Sequence, residues 1–222
     1  MIMETVGFIK PLLPVLFKGA IRTLEVTVLA LCIGTAIGTL FGILSSQRLK
    51  CFPFSTLVNT YVAVVRGTPV FVQLYIFYYG VSDLVGINFS PFTAGFITLG
   101  LNSTAYVAEI IRGGINAIPA GQWEAAYVLG YSKFQTLRFV ILAQTIRNSV
   151  SSLTNEFIAL IKESSILGVI GVCELTKVSR DLVSRELRPM EIYLMTALFY
   201  FAMTTVLAYV TKKWVGRSYG NN

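Results

Sequence analysis

Three stretches of this sequence contain no Asp, Glu, Lys or Arg: residues 26–47, 84–108 and 192–211, of 22, 25 and 20 residues. Each reaches the length, about 20 residues, that a helix needs to cross roughly 30 Å of hydrocarbon. The class that follows is an all-α integral membrane protein. Composition agrees: 55% of the 222 residues are hydrophobic and 13% are charged, where a soluble domain carries about 25% charged residues. Too little polar surface remains to coat a globule.

Two further spans are predicted, giving five, at about residues 20–47, 53–82, 89–112, 145–173 and 191–212. In the first, Gly34, Gly38 and Gly42 lie four residues apart on one helix face. They form either a stripe for close helix approach or the ordinary glycine content of a span. The second contains Arg66 in "VVRGTPVFVQ". Pro69 lacks a backbone donor and pushes Thr68 out of helical geometry, so a bend or loosened turn is expected there. The fourth holds Glu156, Lys162 and Glu163, yet Phe157, Leu160, Ile161 and then 166–170 recur at helical spacing. A polar loop, "ELTKVSRDLVSRELRP", separates it from the fifth.

Five crossings put the termini on opposite sides. With the N-terminus outside, the inner segments hold nine Lys/Arg (48, 50, 112, 133, 138, 147, 212, 213, 217) and the outer ones seven. This is a mild lean toward N-out, C-in. The net charge of +7 is thereby placed beside membrane spans, and no nucleic-acid partner is implied. The first twenty residues lack the ordered parts of a cleavable signal peptide. Cys32, Cys51 and Cys173 show no metal or redox spacing. With no histidine, imidazole catalysis and His-ligated metals are excluded. No G-x-x-x-x-G-K-[ST] occurs either. No catalytic residue, metal site or cofactor is expected in this chain.

Residues 113–144 are too polar to cross. Pro119 opens a helix, Gly130 stands where a left-handed residue would stop it, and Ser132-Lys-Phe-Gln135 has the pattern of a capping box. The reading is helix, glycine corner, helix. Ala125 and Ala126 give one flank a slim profile, Trp123, Tyr127 and Leu129 supply apolar grip, and Glu124 a fixed charge. Such a pair docks a partner, lies on the lipid interface, or packs beneath its own spans.

"EAAYVLGYSKFQTLRFVILAQ" resembles the EAA loop of permease subunits in bacterial ABC importers, with Glu124, Ala125, Ala126 and Gly130 on the pattern and Ala143 where proline is usual. "RGTPVFVQL", "NSTAYVAEIIRGGI", "IPAGQWEAA", "NEFIALIKESS", "IGVCEL" and "RPMEIYL" are similar to successive landmarks of the polar amino-acid uptake group. The resemblance implies a type I ABC importer permease fold with five spans, N-out and C-in, in a bacterial plasma (inner) membrane. It implies a second permease subunit (the same chain or a related one) and two ATPase subunits that carry ATP and Mg. It also implies an extracytoplasmic amino-acid-binding protein and transport by alternating access. Glu124, Ala125, Ala126 and Gly130 would form the ATPase-coupling surface.

Ionisable groups at membrane depth pair with one another or face a cavity. Arg66 and Glu109 are open to either reading. Glu156 and Glu163, seven apart, share a helix face; Asn155 lies beside them, and Asn102 and Tyr106 share another face. By the resemblance, substrate binding falls to Glu163, Glu156, Asn155, Asn102, Tyr106, Arg66 and Glu109. The acidity of Glu163 favours a basic amino acid, arginine first, with glutamine or histidine as alternatives. The competing mechanism is an ion-coupled secondary carrier that needs no ATPase.

Overall fold

The computed structural model describes the backbone of residues 2–49 and 52–219 and the side chains of residues 7–49 and 52–213. Lys50 and Cys51 lie outside these, as does the side chain of Arg217. Among the described residues every regular element is helical. Three helices are long and apolar enough to cross a membrane: Gly7–Ser45, Pro91–Asn116 and Pro189–Lys213. Phe54–Arg66 (α2) and Val70–Val85 (α3) meet that test together, with a bend of 106° between them.

The first helix, α1, runs Ile2–Ser45 through Pro11 and Pro14, 44 residues in all, or roughly 66 Å at 1.5 Å per residue. It therefore begins well before the expected start near residue 20 and is about twice as long as hydrocarbon requires. Its glycine face packs on α4 (Pro91–Asn116). A Cβ on Gly34 would lie 2.8 Å from the Ser103 Cβ, on Gly38 2.7 Å from the Val107 Cβ, and on Gly42 2.8 Å from the Ile111 Cβ. Gly100 of α4 reciprocates against Ile33, at 2.9 Å. The stripe is thus a contact surface. Contacts advance in the same direction along both chains, so α1 and α4 run parallel. Two helices can lie this way only if the chain has returned between them, which α2 and α3 accomplish.

α4 is started by Ser90, whose hydroxyl accepts from Thr93 N at 3.1 Å, with Pro91 in the first turn. After it, α5 covers Ala120–Val128. Lys133–Gln135, a π-helical stretch Thr136–Ile141 and Leu142–Glu163 then follow one another without a gap. We treat residues 133–163 as one rod, α6. It was expected as two pieces, a short loop helix and a span starting near 145. The structure joins the two, and Ala143 keeps the backbone amide that a proline at that position would lack. α6 runs antiparallel to α4, with Gly114 beside Ser149 near one end and Gly95 beside Leu167, just past α6, near the other. The rod is less apolar than α1, α4 and the helix Pro189–Lys213 and, unlike them, is not apolar enough to count as a membrane crossing by length and composition.

A 3-10 turn, Ser164–Ile170, ends at Gly171 with φ +96°. The expected polar loop is instead largely a helix, α7 (Leu175–Glu186), before α8 (Pro189–Tyr219). Leu175 and Leu182 of α7 bury against Leu12, Leu16 and Ala20 of α1 and Ile192 and Met195 of α8. The N-terminal part of α1 is used here, covering α7. At the opposite end of the bundle, Ile111, Ile115 and Ile118 close over Trp123 and Ile141.

Candidate functional site

The helix corner at one end of the bundle is built as its sequence implies. α5 stops at Gly130, φ +82°, with Gly130 N donating to Tyr127 O at 3.0 Å and Tyr131 N to Ala126 O at 3.1 Å. The capping box is complete: Gln135 N donates to Ser132 Oγ at 3.3 Å, and Ser132 N to Gln135 Oε1 at 2.9 Å. The orphan donors at the start of α6 are thereby satisfied. Val128 and Leu129 project outward, 87% and 75% exposed, beside exposed Tyr127 and Phe134.

Two of the expected contact residues face the other way. Trp123 is 1% exposed and Ala126 3%, both turned into the protein's own core. The slim flank is therefore split between Ala125, which is open, and Ala126, which seats α5 on the spans. Glu124 and Gly130 are exposed. The outward surface is an acidic and apolar one: Glu124, Ala125, Tyr127, Val128 and Leu129.

A second polar feature runs through the middle of the bundle along α4. Its first part is the bend between α2 and α3. Breaking a helix orphans the carbonyls of its last turn, and Gln73 supplies the donors. Its Nε2 donates to Val65 O at 2.8 Å and to Thr68 O at 3.1 Å, while its Oε1 accepts from Asn102 Nδ2 at 3.0 Å. Asn102 is thus buried within the protein as the clamp on this corner. Gln73 is a residue that sequence reasoning passed over; its signal is a single amide in an otherwise apolar run four residues after Pro69.

Farther along α4, Glu109 is held by Arg112, through Nε at 3.1 Å and through Nη2. Arg66 of α2 approaches the same carboxylate at 3.9 Å and lies 5.4 Å from the Tyr106 ring centroid. Arg66, Glu109 and Arg112 border a cavity of about 380 Å³ shared with Asn59 and Val62. Both readings of Arg66 and Glu109 therefore hold: they pair, and they face a cavity. Two guanidinium groups against one carboxylate leave donors in excess, an arrangement suited to an anionic group such as a carboxylate. Arg112, read earlier as a loop cation, belongs to this set.

α6 separates the remaining residues. Glu156 turns onto α4 and accepts from Ser103 Oγ at 2.9 Å. Asn155, one position earlier and about 100° around the helix, opens with Arg147 and Ser151 into a groove of about 330 Å³ against Thr211 and Lys212 of α8. Glu163 is half-buried. The seven expected substrate residues are accordingly distributed: Arg66, Tyr106 and Glu109 come together, Asn102 goes to Gln73, Glu156 to Ser103, Asn155 to a separate groove, and Glu163 stays half-buried at the end of α6.

At the end of the bundle remote from the α5 corner, Glu174 caps α7 and is 0% exposed. Burial pushes its carboxyl above the ordinary range, and the amides of Thr176 and Lys177 draw it part of the way back.

A bundle whose described elements are all helical, with a sharply bent helix pair after its first long apolar helix and a polar, glycine-cornered pair at one end, defines a membrane-embedded helical subunit. The chain belongs to the family described as binding-protein-dependent transport system inner membrane component, whose model matches residues 12–217. It is 35% identical over 204 residues to the glutamine transport system permease protein GlnP of Escherichia coli strain K12, covering 91% of this chain and 92% of that one. It is 38% identical over 195 residues to the probable amino-acid ABC transporter permease protein YckA of Bacillus subtilis strain 168, covering 88% and 85%. Among solved structures, a crystal structure of an amino acid ABC transporter with histidines superposes with a TM-score of 0.85 and 38% identity over 96% of this chain and 97% of that one. An inward-facing form of the MetNI methionine ABC transporter superposes at 0.81 with 20% identity, covering 92% and 96%, and shares the fold.

Proposed function

We propose that this chain is the permease subunit of an ATP-driven importer of a polar amino acid, acting by alternating access in a bacterial plasma membrane. The observation that carries the reading is the uncovered face of α5. A helix corner with complete capping, a buried Trp123 anchor and outward-facing Val128 and Leu129 is a rigid apolar surface suited to docking a protein partner. Family membership supports an ATPase subunit as that partner, the one that would hold ATP and Mg. It favours this reading over an ion-coupled carrier. An extracytoplasmic binding protein and a second permease subunit complete the assembly, with ATPase coupling through Glu124, Ala125 and Gly130 and with Ala126 acting from beneath.

The proposed topology is five crossings, N-out and C-in. The alternation of crossings is supported by α1 running parallel to α4 and antiparallel to α6, and the N-out sense by the lean of Lys/Arg toward the inner segments. α2 and α3 then serve as one broken crossing and α6 as the polar one. For the substrate, the Arg66–Glu109–Arg112 cavity suits the carboxylate common to all amino acids. Glu163 and Glu156 suit a cationic side chain and keep arginine in first place. The relatives named for glutamine support that neutral amide as the second reading.

The test is uptake by the reconstituted complex of this chain with its ATPase and binding protein, using each amino acid in turn, with and without ATP. ATP-dependent uptake that Glu124→Lys abolishes is the expected result. Undiminished uptake without the ATPase subunit would overturn the proposal.

A further inference from the structure

Glu174 is the most completely enclosed charged residue among the described ones, and nothing in the transport reading above uses it. Its two carboxyl oxygens collect donors from two elements. Oε2 accepts from Thr176 N at 2.7 Å and from Tyr200 Oη of α8 at 3.0 Å, and Oε1 accepts from Lys177 N at 2.7 Å. Around it the ties multiply. Thr176 Oγ1 and Tyr200 Oη lie 3.0 Å apart. Leu175 N donates to Thr23 Oγ1 of α1 at 3.1 Å. Arg180 Nη2 reaches back to Gly168 O, in the 3-10 turn after α6, at 2.9 Å. Gly168 itself leaves room for the carboxyl, since a Cβ there would stand 3.0 Å from Glu174 Oε1.

An N-cap alone requires one short polar side chain, commonly Ser, Thr, Asp or Asn, on an exposed turn. Here a longer acid is buried and its second oxygen is spent on a different helix. A buried acid of this kind is costly unless every lone pair is used, so the arrangement is more than a helix start. It fastens α7 to α1, to the end of α6 and to α8. The outer face of α7, with Ser184, Arg185 and Glu186 exposed, is the part of this junction that an incoming protein can touch.

We propose that Glu174, through Tyr200, is a positioning residue that makes α7 and α8 move as one body, so that contact made on α7 is passed directly to a membrane-crossing helix. This rests on the transport reading for its consequence but not for its geometry. Tyr200→Phe removes the hydrogen bond from Glu174 to α8 and leaves the helix cap intact, whereas Glu174→Gln weakens both; a second α7–α8 tie, Thr196 Oγ1 donating to Ser179 Oγ at 2.6 Å, is kept in either variant.

The experiment uses the whole reconstituted complex, with spin labels on the exposed positions Arg185 of α7 and Tyr193 of α8, and reads both uptake and the label separation with and without ATP. In the unmodified complex the separation should stay single and narrow in both states. In Tyr200→Phe it should broaden or change between states. Uptake should then fall at least tenfold while the complex stays assembled and basal ATP hydrolysis remains within twofold. A Tyr200→Phe complex with the unmodified label separation and uptake would overturn the proposal, as would the same outcome for Glu174→Gln. Should the unmodified complex import no amino acid, the functional reading falls, and the label separation still decides whether α7 and α8 are locked.

Discussion

Gly38 and Val107 stand in direct backbone-to-side-chain contact: a Cβ added to Gly38 would lie 2.7 Å from the Val107 Cβ and 2.8 Å from the Thr104 carbonyl oxygen. Neither neighbour is the end of a flexible side chain. Gly38→Leu should therefore force α1 away from α4. Overpacking of this kind costs about 1–3 kcal/mol, visible as a lower midpoint of thermal unfolding in detergent. Gly80→Ala, where a Cβ meets nothing within 4 Å, is the control and should leave the midpoint in place.

Gln73 holds the broken crossing together from both sides. Gln73→Leu removes the side-chain donor to Val65 O and Thr68 O and leaves the buried Asn102 Nδ2 without its acceptor, so a loss of about 1–3 kcal/mol for the buried unsatisfied amide sets the scale. Asn102→Leu should cost less, since it removes one of these bonds. Because the two residues share a partner bond, the double variant should fall short of the sum. Additive midpoints would show that the clamp does not act as a unit.

Trp123 tests whether α5 is seated by its own chain. Truncating a buried Trp to Ala costs about 3–5 kcal/mol. The loss should appear as proteolytic cleavage near residues 119–131 before any effect on the spans. Leu129→Ala, on the outer face, should leave cleavage unchanged and weaken copurification of the ATPase subunit.

Gly130 has φ +82°, a region that costs a residue with a Cβ about 1–2 kcal/mol. Gly130→Val should loosen the corner and lower ATP-dependent uptake. Gly130→Asn, which tolerates left-handed geometry, should retain most of it. Equal losses in the two would mean that the space beside Gly130, and not its backbone, is what matters.

Glu163 bears on substrate choice. Glu163→Gln should reduce arginine uptake by at least tenfold while leaving glutamine uptake, where present, within threefold, measured in competition. A uniform loss for both would mark Glu163 as structural.

Features set by one residue type at one position were legible before any coordinates. Pro69 implied a bend, Gly130 and Ser132–Gln135 implied a capped corner, and the spacing of Gly34, Gly38 and Gly42 left a close contact as one of two readings. Features that depend on which way a helix is rolled were not. Trp123 and Ala126 lie three apart in a nine-residue helix with apolar residues on every side, so only packing against Ile115 and Ile141 decides that they point inward. Asn155 and Glu156 are neighbours in sequence and therefore diverge on a helix, one to a groove and one to Ser103. The segment 175–186 reads as a loop because it is polar, yet Leu175 and Leu182 are seven apart on one face. The N-terminal turns of α1 that cover them come from the far end of the sequence.

The continuity of α6 has a mechanical meaning. From Lys133 beside the corner to Glu163 it spans 31 residues, roughly 46 Å at 1.5 Å per residue, with a π-helical stretch but no break. A tilt of only about 5° at the corner displaces the remote end by about 4 Å over that length. With alanine in place of proline at position 143, every residue of the rod keeps its backbone donor; on the transport reading, a pull on the α5 corner would then be carried along one stiff element to Asn155, Glu156 and Glu163.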